Sequence, residues 1–224
     1  MDLEELYARL RQEYRVEGWW PAHSAFEVMV GAILTQQTAW ENVAAVLDEL
    51  RARGALDPWE IARMDRLELQ GLIRPTGFYR QKASRLQGLA SHLVDNYDSA
   101  EELLSKRDAR EELLSIRGIG KETADSILLF GGNRPVFVAA AYTARILSRT
   151  GVLPSDDYDE IQGFVEERLP MDPEVLGGLY AAMVQLGKEH CRSRPRCGGC
   201  PLSDSCPSAE HQEERIAHHG RHQE

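Results

Sequence analysis

"LLSIRGIGKETADSILLF", residues 113–130, sets a Gly-Ile-Gly turn between two apolar segments. Leu113, Leu114 and Ile116 close one helical face, and Ala124, Ile127 and Leu128 recur at the three- and four-residue spacing of a second helix. Gly118 and Gly120 permit positive φ and carry no Cβ to hold a bound anion away from the backbone. Ile119 between them plugs the crossing of the two helices. From Gly120 onward a starting helix offers unpaired N–H groups and the positive end of its dipole, and Lys121 adds a point charge. The pattern predicts a helix-hairpin-helix, which grips a sugar-phosphate backbone without reading sequence. A Gly-capped corner between two ordinary helices is the plainer alternative.

Outward from the hairpin the dominant signal is helical. "LEELYARL", "FEVMVGAIL", "WENVAAVLDELRAR", "QKASRLQGLASHL", "DEIQGFVEERL" and "LGGLYAAMVQLG" place apolar residues three and four apart, and no alternating run marks a sheet. Breakers fall at "WWPAH", "IRPTGFY", "FGGNRPVF", "GVLPSDDYD" and "LPMDP". The expected fold is all-α with two helical lobes. One spans residues 21–133 and holds the hairpin at about 109–130; the other combines 1–20 with 134–206. The N-terminal helix is free to pack on either. The His-rich remainder, 207–224, has no core-forming period and is expected to be a disordered tail.

At 224 residues and 42% hydrophobic the chain can bury one or two cores, and no apolar run approaches the ~18 residues of a membrane span. Its start, "MDLEELYARLRQEY", lacks a basic, then apolar, leader pattern, so a soluble, monomeric, cytoplasmic protein is expected. The formal charge of −10 argues against a polyanionic partner only if charge is spread evenly. It is not. Lys188, Arg192, Arg194 and Arg196 crowd one segment against Glu189 and Asp204 alone, and screening over ~10 Å makes such local charge the relevant quantity.

That segment also carries every cysteine. Cys191, Cys197, Cys200 and Cys206 form a C-x5-C-x2-C-x5-C run, compact enough for four thiolates to converge. Iron–sulfur clusters are held by such quartets, whereas zinc sites more often show two C-x2-C pairs. A [4Fe-4S] cluster is the favoured occupant, with zinc and a pair of disulfides as alternatives.

A helix-hairpin-helix followed by a four-cysteine loop resembles the endonuclease III branch of the helix-hairpin-helix DNA glycosylases, over nearly the whole chain. The resemblance implies a DNA cleft between the lobes and a double-stranded DNA partner bearing a damaged or mismatched base. It also implies base flipping into a pocket. "GAILTQQTAWENV" is similar to the family's early helix, with Gln37 at the residue that enters the base stack. "TGFYRQKA" is similar to its Gly-x-Tyr-x-x-Lys-Ala segment, with Phe78 at the intercalating wedge. "VFVAAAYTARILSRTG" looks like the strip that carries the catalytic aspartate in a Val-Asp-x-x-x-x-Arg context. The first cysteine gap is five residues, against six in the best-known members.

Two departures limit what the resemblance carries over. The lysine of strand-cleaving members follows the second hairpin glycine by two residues; Glu122 stands there, and Lys121 lies one residue early, about 100° away on a helix. A monofunctional glycosylase is therefore expected. Counting back from Arg145, the aspartate position holds Ala140, so this branch has lost or moved its carboxylate, or the chain is an inactivated form. Ala32 at the position of the adenine-specific branch's glutamate argues against that activity. Glu122 either faces the pocket, where an anion favours a cationic alkylated purine, or merely complements a helix dipole. Trp40, Tyr142 and Phe26 are candidate stacking partners for an extruded base, or core aromatics. A non-catalytic module that recognises distorted DNA is the alternative reading.

Overall fold

The computed structural model describes residues 1–209. In chain order the helices are α1 (Leu3–Glu13), α2 (Ala25–Leu34), α3 (Trp40–Ala52), α4 (Pro58–Arg63), α5 (Arg66–Leu72), α6 (Tyr79–Asn96), α7 (Ala100–Ser105), α8 (Ala109–Ser115), α9 (Lys121–Ser126), α10 (Ala141–Thr150), α11 (Tyr158–Glu166) and α12 (Pro173–Glu189). Among the described residues there is no strand and no helix long and apolar enough to cross a membrane. Helix starts follow local chemistry. Asp2, Ser24, Asp57, Asp65, Ser99, Asp157 and Asp172 each accept a backbone N–H of the helix they precede, and Pro58 and Pro173 stand at first positions where no donor is needed.

The chain divides into two compact units, Trp20–Arg134 and Met1–Trp19 with Pro135–Glu224. The first is organised round α2, whose sequence AFEVMVGAIL is buried at every position. A helix apolar on all sides belongs in a core, and α2 packs against α3, α6, α7 and α9. The helix after the hairpin does not stay α: Ile127–Gly131 form a π-helical turn against α2. Short helices α4, α5, α7 and α8 have too few turns to show a period in sequence.

In the second unit α12 is central. Leu176, Leu179, Met183 and Leu186 are buried with Leu3, Leu6 and Leu10 of α1 and Ile146 and Leu147 of α10. The N-terminal helix thus packs on α12. Of the tail expected over 207–224, only residues 207–209 are described. Ser208 donates to the Arg149 carbonyl at 3.0 Å and Ala209 is buried, so these residues complete the surface of α10. The His-rich stretch beyond lies outside the described residues.

Candidate nucleic-acid interface and cysteine site

The hairpin between α8 and α9 is a tight turn closed by the Ile119 N–H donating to the Ile116 carbonyl at 3.1 Å. Its two glycines have different reasons. Gly118 has φ +93, and a Cβ there would lie 2.5 Å from the Arg85 side chain, so the fold itself demands glycine. Gly120 has φ −97 and nothing within 4 Å of a Cβ position. Only Gly118 uses positive φ, therefore; at Gly120 the missing Cβ leaves open space at the start of α9, where another backbone can approach. Ile119 is 5% exposed with its N–H already used, so its side chain plugs the turn. Lys121 and Glu122 are exposed on the first turn of α9, and desolvation by the surrounding protein raises the Glu122 carboxyl above the ordinary carboxylate range.

Two residues that sequence reasoning missed brace this turn. The Gln36 amide donates to the Gly118 carbonyl at 3.2 Å and to the Thr123 hydroxyl at 3.0 Å, and its own carbonyl accepts from Arg85. Its neighbour Gln37 is exposed and adopts φ 55. Phe78, 61% exposed, sits at φ 45 as the residue before α6. Both family wedge positions are thus outward-facing residues in the left-handed region, which non-glycine residues seldom occupy.

Beside the hairpin an open groove of about 1010 Å³ runs along α6. Arg66, Arg80, Arg85 and Arg117 line it with Ser84 and Ser115, and no Asp or Glu does. Among the described residues none of the four arginines is ion-paired; Arg66 donates to Gln87 at 3.1 Å and Arg80 stacks on Tyr79. The cationic character expected of the cysteine loop is therefore shared by a second surface, which no run of basic residues marks in the sequence.

In the other unit, Ala140 occupies the capping position before α10, with φ −72, ψ 168 and no side-chain cap. Asp157 and Asp172 fill the same role before α11 and α12 with carboxylates. Ala140 is 3% exposed. Its backbone is that of a helix cap, and no side chain accepts from the first turn of α10.

The four cysteines form no disulfide and line one small cavity together with Ile146, Leu186 and Leu202. Burial, and then the other three thiols, push the Cys200 thiol up. Arginines of α10 hold the loop from behind. Arg145 donates to the Cys191 carbonyl at 2.7 Å, and Arg149 reaches Cys191 Sγ at 3.5 Å, the Arg192 carbonyl at 2.5 Å and the Ser193 carbonyl at 2.9 Å. Among the described residues no three His, Cys, Asp or Glu side chains gather closely enough for a single metal ion. Four cysteines lining one cavity are a thiolate donor set of the kind that holds an iron–sulfur cluster. Arg192, Arg194 and Arg196 are exposed on this loop, Arg192 donating to the Lys188 carbonyl at 2.6 Å.

Of the aromatic candidates, Phe26 does not serve as expected: at 4% exposure it is part of the α2 core and has no face for a base. Trp40 is half-buried, edge-on to Trp20 at 5.5 Å, and Trp20 stacks on Phe130 at 5.1 Å. Tyr142 lies under the Arg145 guanidinium at 5.0 Å and against Gly187, where a Cβ would meet the ring at 2.2 Å.

Comparison with known proteins agrees with this geometry. A Methanocaldococcus jannaschii protein named as a candidate DNA repair glycosylase is 43% identical over 209 residues, 91% of this chain and 95% of its own. Endonuclease III of Thermotoga maritima is 30% identical over 81% of this chain and 82% of its own. Among solved structures, the H. pylori 3-methyladenine DNA glycosylase MagIII bound to 1,N6-ethenoadenine superposes with TM-score 0.73 at 27% identity, covering 84% of this chain and 98% of that one. A non-covalent endonuclease III–DNA complex shares the fold with TM-score 0.78 at 23% identity, over 96% and 99% of the two chains. Residues 30–171 match the family described as HhH-GPD superfamily base excision DNA repair protein, and the chain belongs to it.

Proposed function

We propose that this chain has the architecture of a monofunctional DNA N-glycosylase for an alkylated base, with Ala140 in place of its catalytic carboxylate. The observation that carries the monofunctional assignment is Glu122 at the family lysine position, exposed on the first turn of α9. A carboxylate cannot form a Schiff base with C1′, so base release is not followed by strand scission. The same anion attracts a cationic purine, and the likeness to a 3-methyladenine glycosylase supports that substrate class.

The remaining parts have roles that follow from their chemistry. Gly120 and the helix start after it accept a phosphate, Lys121 and the arginines of the α6 groove extend the contact along the backbone, and Arg192, Arg194 and Arg196 add a second basic surface. Gln37 and Phe78 enter the base stack as the target nucleotide leaves it. Trp40 and Tyr142 are candidates to face the extruded base. Cys191, Cys197, Cys200 and Cys206 would hold a [4Fe-4S] cluster, which would cross-link the basic loop in which they lie. Cleavage of the glycosidic bond leaves a cationic sugar, and an acid at position 140 would stabilise it and orient a water.

Ala140 itself favours a second reading, in which the same surfaces form a binding module for distorted DNA. Duplexes carrying an alkylated purine test both. With Ala140→Asp, base release should leave abasic sites that break only after alkali treatment, and borohydride should trap no protein–DNA adduct. A trapped adduct, or nicking without alkali, would overturn the monofunctional assignment.

A further inference from the structure

One buried ammonium joins the two turns that carry Gln37 and Phe78. Lys82, near the start of α6, is 1% exposed, and its three N–H donors meet three acceptors. These are the Leu34 carbonyl at 2.8 Å, the Thr38 hydroxyl at 2.6 Å and the Thr76 carbonyl at 2.7 Å. The Thr38 hydroxyl also donates to the Thr76 carbonyl, closing a ring of polar contacts between the turns. Leu34 and Thr38 bracket Gln37, and Thr76 stands two residues before Phe78. Gln37 and Phe78 are two of the three non-glycine residues with positive φ among the described residues. Such conformations persist only where the surroundings impose them.

Packing alone does not account for a lysine here. Burial, helped by the Arg85 charge, pushes its pKa down to about 8, so the protonated side chain opposes folding where a methionine of similar length would not. What an apolar residue cannot supply is three simultaneous hydrogen bonds to two separate turns.

We propose that Lys82 is a positioning residue for base-stack invasion, its ammonium locking the Gln37 and Phe78 turns in the strained conformations that present both side chains to DNA. The proposal rests on the wedge reading of those two residues. It separates two functions that share one unit: the hairpin grip is braced by Gln36 and Arg85, and the wedge by Lys82.

The test uses the full-length protein and a duplex with a tetrahydrofuran abasic analogue opposite 2-aminopurine, whose fluorescence rises on unstacking. Lys82→Met should bind an undamaged duplex as the parent does, well below its unfolding temperature. At saturation on the abasic duplex its fluorescence rise should fall at least about fivefold, the population ratio equivalent to ~1 kcal/mol of backbone strain no longer held. Thr38→Val, which removes one acceptor at the half-buried side of the ring, should show a smaller loss of the same kind and carries the test if Lys82→Met does not fold. Phe78→Ala is the reference and should abolish the rise. If Phe78→Ala unstacks normally, the wedge reading falls and the Lys82 proposal with it. If Phe78→Ala fails but both Lys82→Met and Thr38→Val unstack like the parent, the wedge reading stands and the Lys82 proposal is overturned.

Discussion

The two hairpin glycines should respond to valine in opposite ways. At Gly118 a valine must adopt φ +93, which costs about 1–3 kcal/mol for a residue with a branched Cβ. Its Cβ also lands 2.5 Å from the Arg85 side chain. Displacing Arg85 breaks its bond to Gln36, worth about 1 kcal/mol at a half-buried position. Gly118→Val should therefore lose about 2–4 kcal/mol, lowering the melting temperature by roughly 4–16 °C for a chain of this size. At Gly120 the backbone is ordinary and the space is open, so valine should cost no more than about 1 kcal/mol, from a weaker helix cap. Its methyls instead occupy the place where a phosphate would meet the N–H groups of α9. Loss of one such charge-assisted contact, about 1.5–3 kcal/mol, weakens binding about 10- to 100-fold. Thermal unfolding by circular dichroism and fluorescence anisotropy with intact and lesion-bearing duplexes measure the two effects. A Gly120→Val protein that binds normally would refute the phosphate role and leave the hairpin a structural corner; an unperturbed melting temperature for Gly118→Val would refute the strain argument.

Purified protein should be yellow-brown with iron and sulfide in about equal amounts, and stoichiometric zinc in a colourless anaerobic sample would contradict the cluster assignment. Arg66→Ala and Arg117→Ala in the α6 groove should each flatten the salt dependence of duplex binding by up to about one unit of slope, measured by titration at several salt concentrations, with little change in melting temperature. Burial opposes ionisation of Glu112, but hydrogen bonds from Lys106, Tyr97 and His92 outweigh it and hold its pKa at about 2. The stability this contributes is complete above its ordinary value of 4.5 and is lost as pH falls through about 2. Glu112→Gln should therefore be less stable than the parent at neutral pH, the gap closing across that acid window in urea titrations.

The hairpin and the cysteine quartet were legible because each is local: a few residues at fixed spacing, with their chemistry in the residue types. Long helices were legible for the same reason, since a 3.6-residue period needs several turns to register. What could not be read depended on partners far along the chain. Gln36 and Gln37 are indistinguishable as adjacent glutamines, yet one reaches Gly118, 82 residues away, and the other faces outward. Nothing local to Lys82 announces its three acceptors, since Leu34 lies 48 residues away and only the fold brings it together with Thr76 at the ammonium. The α6 groove draws its arginines from four separate positions between 66 and 117, so no run of charge announces it. Phe26 failed as a pocket candidate because exposure of an aromatic is a tertiary property, set here by a helix buried on every side.

Single-turnover base release by Ala140→Asp measures most directly whether the chain holds a glycosylase site that lacks only one carboxylate. The backbone at position 140 is already that of a helix cap, with the residue buried and no side chain accepting from α10. A positioned acid of this kind typically contributes about 10² to 10⁴ in rate, roughly 3–5 kcal/mol. With protein in excess over duplexes carrying alkylated, deaminated or oxidised bases, Ala140→Asp should release the alkylated purine at least about 100-fold faster than the parent chain, while duplex affinity changes little. Release of no base by Ala140→Asp, with binding to distorted duplex intact, would contradict the catalytic account and leave the binding module in its place.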